Sequence, residues 1–252
     1  MNATTLPSLE ARFRALGLYG LASRYSEFAD ERWPLQMLEL EESERNKRSL
    51  QRRLKTAKLG QFKSMADFDW GWPKSLDSDA VRDALSLGFL RTASNVLLLG
   101  SNGVGKTMIL KNIVHNAVIA GHDALMTTAS DMLADLGSRQ NQHLLHLRMA
   151  KYCRPAILAI DEVGYLSYDQ RYADLFFQLV SLRYEQQKPI VLTTNKPLEE
   201  WASSFPHAAC VITLIDRLVH RCEMITIEAS SYRFKEASER KLARKCAKHK
   251  HG

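Results

Sequence analysis

Between Val96 and Thr107 a four-residue apolar run opens straight into Gly100-Ser101-Asn102-Gly103-Val104-Gly105-Lys106-Thr107, and from Met108 a helical pattern follows. A glycine-rich octet ending in Gly-Lys-Thr, entered from a strand and left through a helix, restricts the fold more than any other segment. Gly100 and Gly105 let the loop curl so that successive backbone N–H groups face inward, where phosphate oxygens can accept from them. The helix beginning near Lys106 turns its positive dipole end to the same point. Lys106 is expected to bridge the β- and γ-phosphates of a nucleoside triphosphate, and the Thr107 hydroxyl to ligate Mg2+. The stretch Gly100–Met108 is thus the expected nucleotide-binding segment.

The rest of the chain suits this unit. Val96–Leu99, Ala124–Thr127, Ala156–Ile160 and Ile190–Thr194 are short apolar runs, separated by helical stretches such as Met108–Ala120 and Ala173–Tyr184. Fully apolar strands alternating with helices predict a parallel sheet covered on both faces. Upstream, Leu6, Leu9, Phe13, Leu16 and Leu21 recur at mostly helical spacing, Tyr25 and Phe28 extend the stripe, and Pro34 suits the first turn of a second helix. Phe62, Phe68, Trp70 and Trp72, set among Gly71 and Pro73, suggest a linker that folds back onto the core. A base-stacking role for these aromatics is the alternative. The expected organisation is a helical domain at 1–60, a linker and start of the core at 61–94, the nucleotide-binding core at 95–235 and a basic tail at 236–252.

Two further strand ends carry chemistry. Ala156–Ile160 runs into Asp161-Glu162. At a strand tip beside a phosphate loop, Asp161 is expected to hold Mg2+ and Glu162 to polarise the water that attacks the γ-phosphate. A kinase acting on a metabolite hydroxyl does not need that second carboxylate, so the pair favours hydrolysis. The strand ending in Thr193-Thr194 is followed by Asn195, expected to sense the γ-phosphate; an Asn-Lys-Pro turn is the plainer reading. Arg217, in Ile215-Asp216-Arg217-Leu218, lies too far along the chain to belong to the loop. It is a candidate finger supplied in trans to a neighbouring copy, which predicts an oligomer with active sites at subunit interfaces.

Charge narrows the partner. Seven bases and no acid stand between Arg45 and Lys58, and Ser231–Gly252 holds eight bases against two acids, while the whole chain carries +7. An acidic body with two basic strips points to a polyanion. The candidate DNA contacts are Arg45, Lys47, Arg48, Arg52, Arg53, Lys55 and Lys58, with Arg139, Arg148 and Lys151 after the second strand. Arg240, Lys241, Arg244 and Lys245 are further candidates, in a tail expected to be disordered. No apolar run nears the roughly 20 residues of a membrane span, no secretory leader is evident, and the four scattered cysteines form no CxxC pair. A cytoplasmic chain with reduced thiols is expected. His143 and His146 lie one helical turn apart without a third ligand, and read as a solvated helix face.

Taken together, Asn95–Thr107, Ala156–Gln170, Leu175–Glu185, Val191–Trp201, Ile215–Arg221 and Ser231–Arg233 resemble the AAA+ ATPases, and within them the IstB-like insertion-sequence helper proteins. The segment Arg53–Trp70 is similar to that family's linker. The neighbourhoods Gly164-Tyr165-Leu166, Arg183-Tyr184-Glu185 and Asp216-Arg217-Leu218 narrow the match; DnaC-like helicase loaders are near cousins and the alternative function. The resemblance implies an α/β fold with five parallel strands in the order 5-1-4-3-2. It also implies ATP and Mg2+ as ligands, ATP-dependent assembly on double-stranded DNA, and a cognate transposase whose target the ATPase selects. Too few residues follow Arg217 for a helical lid, so no second sensor arginine is assigned.

Overall fold

The apolar runs do become strands. The computed structural model describes residues 8–138, 141–164, 169–201 and 210–249, with side chains from 242 onward outside the description. Two compact units divide between Arg52 and Arg53.

In the first unit, helices Leu9–Ala15 and Tyr19–Ser23 and the start of the Trp33–Ala57 helix bury Phe13, Ala22 and Leu38 together. Phe28 meets Phe13 edge-on at 6.0 Å. Arg12 grips Glu42 through two hydrogen bonds of 2.9 and 2.7 Å. Pro34 sits in the first turn of the long helix, where a missing N–H costs nothing. Much of the basic strip on this helix is balanced locally. Arg45 and Arg48 reach Glu41, and Lys47 reaches Glu44.

The second unit is built on a six-stranded sheet: β1 (Ser75–Leu76), β2 (Asn95–Gly100), β3 (Ala124–Thr128), β4 (Ile157–Val163), β5 (Ile190–Thr194) and β6 (Cys222–Glu228). Their spatial order is β1-β6-β2-β5-β4-β3. The expectation of five strands needs correction. The sheet has six and is mixed, because the two residues of β1 add an antiparallel edge to β6; the other five are mutually parallel and run β6-β2-β5-β4-β3. So short a strand leaves no periodic trace in the sequence. β6 had no trace either, since Ile225 and Ile227 are its only fully buried members.

Alternation decides which helices each strand meets. Leu97, Leu125, Leu158, Ile160 and Leu192 pack with the helices Ala129–Gly137, Gln170–Glu185 and Val211–Val219. The intervening Val96, Leu98, Ala159 and Val191 are equally buried, and Lys106–Ile119 packs across β2 to β5. The linker does fold back. Met65 N–H donates to Asn112 Oδ1, and Asn112 Nδ2 donates to the Lys63 carbonyl.

Disorder in the basic end is also corrected. Tyr232–His249 is one helix, made of strong helix formers (Lys, Glu, Ala, Arg) with a Glu236–Arg240 pair one turn apart. No helix among the described residues is long and apolar enough to cross a membrane.

Candidate nucleotide site

β2 ends at Gly100, and the chain turns over the strand tip to enter the Lys106–Ile119 helix at Gly105. A Cβ at Gly100 would collide with the Ile227 carbonyl of β6. Gly105 stands at φ +106°, where glycine is favoured, and a Cβ there would lie 2.8 Å from Cε2 of Phe68. No side chain caps the 14-residue helix that follows, so its first N–H groups keep their capacity for an anion.

Lys106 is buried, and its Nζ donates to the carbonyls of Gly100 and Ser101 at 2.7 Å each. Burial holds its pKa below the ordinary lysine value. The charges of Asp161 and Glu162 oppose that shift, and the charge of Arg233 adds to it. Lys106, Glu162 and Arg233 line one cavity of about 290 Å3, whose floor is Gly103–Met108 and whose wall also includes Phe68, Trp72, Thr193 and Tyr232.

Asp161 and Glu162 lie at the tip of β4. The Thr107 hydroxyl donates to Asp161 Oδ1 at 3.1 Å, which brings together the two expected metal ligands. Two hard oxygens suit Mg2+, which keeps most of its shell in water and phosphate oxygens. Glu162 is exposed and lines the cavity, with a backbone φ of +63° that side-chain-bearing residues rarely adopt. Asn195 follows β5 at the same end of the sheet but does not line the cavity. Its Oδ1 is buried without a hydrogen-bond partner, an acceptor still to be satisfied.

Arg217 is elsewhere. It shares a separate cavity of about 240 Å3 with Asn95, Tyr184, Lys188 and Arg221, where β2 begins rather than where it ends. Its guanidinium stacks near the Phe177 and Tyr184 rings. Nearby, Arg183 of the Arg-Tyr-Glu neighbourhood is fully buried and donates to the carbonyls of Tyr152, Cys153, Pro155, Ala156 and Pro189. Burial lowers its pKa to about 10.

The expected DNA contacts are dispersed. Arg53 donates to the Val118 carbonyl, and Arg148 and Lys151 both approach Asp135. Lys58 and Lys151 line a third, more open cavity. Arg139, Tyr165 and Leu166, and the side chains of Arg244 and Lys245, lie outside the described residues.

The family model for IstB-like ATP-binding proteins matches residues 11–240. The chain belongs to that family. An insertion sequence IS5376 protein of Geobacillus stearothermophilus is 32% identical over 233 residues, covering 92% of this chain and 90% of the relative. An insertion sequence IS21 protein of Pseudomonas aeruginosa is 34% identical over 199 residues, covering 79% and 75%. Both bear names that refer to ATP binding. Among solved structures, DnaI superposes with a TM-score of 0.55 at 19% identity, covering 67% of this chain and 89% of that one. AMPPCP-bound DnaA from Aquifex aeolicus superposes with 0.56 at 22%, covering 70% and 54%. At such identities the likeness is one of fold, and the fold is the AAA+ α/β architecture with a helical N-terminal region.

For this IstB-like chain, sequence reasoning missed the side of the cavity opposite the loop. Tyr232 N–H donates to the Gly103 carbonyl at 2.9 Å, Ser101 Oγ donates to the Ala229 carbonyl, and Trp72 Nε1 donates to the Ser230 carbonyl. Lys235 pairs with Asp69 at 2.8 Å and lies over the Trp72 and Tyr232 rings. This strapping carries Arg233 to the cavity, where an arginine was not assigned. The Ser-Tyr-Arg segment had marked the family resemblance, but nothing in its spacing indicated that it returns to the loop.

Proposed function

We propose that this chain is a Mg2+-dependent ATPase of insertion-sequence transposition. In this reading it assembles on duplex DNA and assists a transposase in target selection. The observation that carries the proposal is the convergence of Lys106, Thr107 and Glu162 on one cavity, with Asp161 bound to Thr107.

The steps follow from the residues. Loop N–H groups and the uncapped helix start receive the phosphates, and Lys106 exchanges its two carbonyl partners for phosphate oxygens. Thr107 and Asp161 would hold Mg2+, which neutralises charge on the β- and γ-phosphates. Trp72 and Tyr232 offer ring faces for the base, and Arg233 a second cation for the phosphates. Glu162 accepts a proton from the attacking water, and Asn195 would have to turn its buried side chain toward the cavity to reach the γ-phosphate. Arg217 faces another cavity, so it serves the γ-phosphate of a second copy, and hydrolysis depends on assembly.

Partnership with DNA is supported by the +7 charge, concentrated in two strips, and by the insertion-sequence relatives. Contacts of this type go to phosphates, so binding falls steeply with salt and depends weakly on sequence. The test is ATP turnover against protein concentration, with and without duplex DNA. Turnover per subunit rises with both; a rate indifferent to both sinks the assembly model. Preference for single strands over duplex in competition would favour a helicase-loader role.

A further inference from the structure

We infer that Thr193 is the positioning residue that holds Asp161 and Glu162 in their working arrangement; this rests on the hydrolytic reading above. β4 and β5 pair in register through Ile160↔Leu192 and resume at Val163↔Thr194. Two residues of β4, Asp161 and Glu162, therefore stand opposite one residue of β5, Thr193. A bulge of this kind interrupts the backbone ladder and re-aims side chains at the cost of unpaired groups. Thr193 meets both acids with a single hydroxyl. Its Oγ1 accepts from the Glu162 N–H at 2.9 Å and donates to Asp161 Oδ1 at 2.5 Å.

The surroundings make that hydroxyl hard to replace. Thr193 is 1% exposed and Asp161 5%, so water has little access to either. Glu162 is held at φ +63°, a conformation that persists where neighbours over-determine it. Asp161 Oδ1 also accepts from Thr107. One oxygen atom thus connects the phosphate-loop helix, the bulge of β4 and the end of β5. Thr193 orients the carboxylate on the metal side and fixes the backbone from which Glu162 projects into the cavity.

The experiment uses two pairs that each differ by one hydroxyl: wild type against Thr193→Val, and Thr193→Ser against Thr193→Ala. The first readout is the shift in melting temperature caused by ADP in EDTA, and the further shift on adding Mg2+. The second is kcat and KM for ATP.

In each pair the member lacking the hydroxyl keeps the EDTA shift, loses most of the Mg2+ increment, and turns over ATP at least tenfold more slowly with KM little changed. Thr193→Ser stays near wild type in both readouts. A role confined to packing would separate Thr and Val from Ser and Ala instead. The proposal is overturned if the members of a pair share the same Mg2+ increment. Were Thr193→Val too unstable to measure, the Ser/Ala pair decides alone. Glu162→Gln with wild-type turnover would end the hydrolytic reading, and the Mg2+ increment would still judge Thr193.

Discussion

The guanidinium carbon of Arg217 lies 5.1 Å from the centre of the Phe177 ring, in a cavity that shares no lining residue with the one around Lys106. On the proposed reading an arginine so placed serves the phosphates of a second copy, and that separation yields the first prediction. Arg217→Ala and Glu162→Gln should each bind ATP normally and each turn it over at least tenfold more slowly. Mixed together they should regain activity, because a Glu162→Gln subunit can lend its arginine to an Arg217→Ala site. ATPase assays on mixtures at fixed total protein check this. An unchanged rate on mixing would rule out Arg217 as a finger supplied in trans.

A second prediction concerns Lys106 and pH. Its folded pKa is lowered chiefly by burial, so the unfolded chain binds this proton more tightly than the folded one. The resulting penalty is present at neutral pH and disappears as pH rises through the lowered value toward the unfolded value of about 10.4. Lys106→Met should abolish the ADP-induced rise in melting temperature. In the apo protein it should melt slightly higher than wild type at pH 7.5, and the gain should close near pH 10.5. Thermal melts across that range measure it.

Arg183 supplies a third. Its fork gathers five carbonyls at the ends of the Gln142–Cys153 helix, β4 and β5. Lysine keeps the charge but has three donors on a single nitrogen and cannot span those acceptors. Arg183→Lys should cost about 2–3 kcal/mol, or roughly 5–10 °C in melting temperature for a domain of this size. Calorimetry with ADP saturation checks that the loss is one of stability and not of binding.

The aromatic wall gives a fourth. Trp72 meets Tyr232 edge-on at 5.8 Å and lines the cavity. A base that packs on this ring gains about 1 kcal/mol beyond its burial. Trp72→Ala should weaken ADP binding by roughly fivefold to tenfold, while Trp72→Phe should retain most of the affinity. Titration calorimetry with ADP and with pyrophosphate tests the assignment, since pyrophosphate binding should be indifferent to residue 72.

Legibility followed periodicity and local motif. Val96–Leu99 and Ile190–Thr194 were readable because central strands of a parallel sheet are apolar throughout, and Gly100–Thr107 because the loop's chemistry demands fixed spacing. β1 was invisible because two residues carry no period. The Tyr232–His249 helix was not legible, and a disordered tail was expected from 236 onward, because its residues are polar on almost every side.

What the linear order of residues determined by itself was the phosphate loop and the carboxylate pair at the tip of β4, since each lies within a dozen contiguous positions whose local geometry leaves few options; the family resemblance was legible in segments spread between Asn95 and Arg233. Only the tertiary structure decided that Thr193 would oppose a bulge holding both acids, that Ser231–Arg233 would return to Gly103, and that Arg217 would open onto a different cavity. Those relations join residues 30 to 130 positions apart. They are set by sheet register and by which helix covers which face, and no local pattern encodes either.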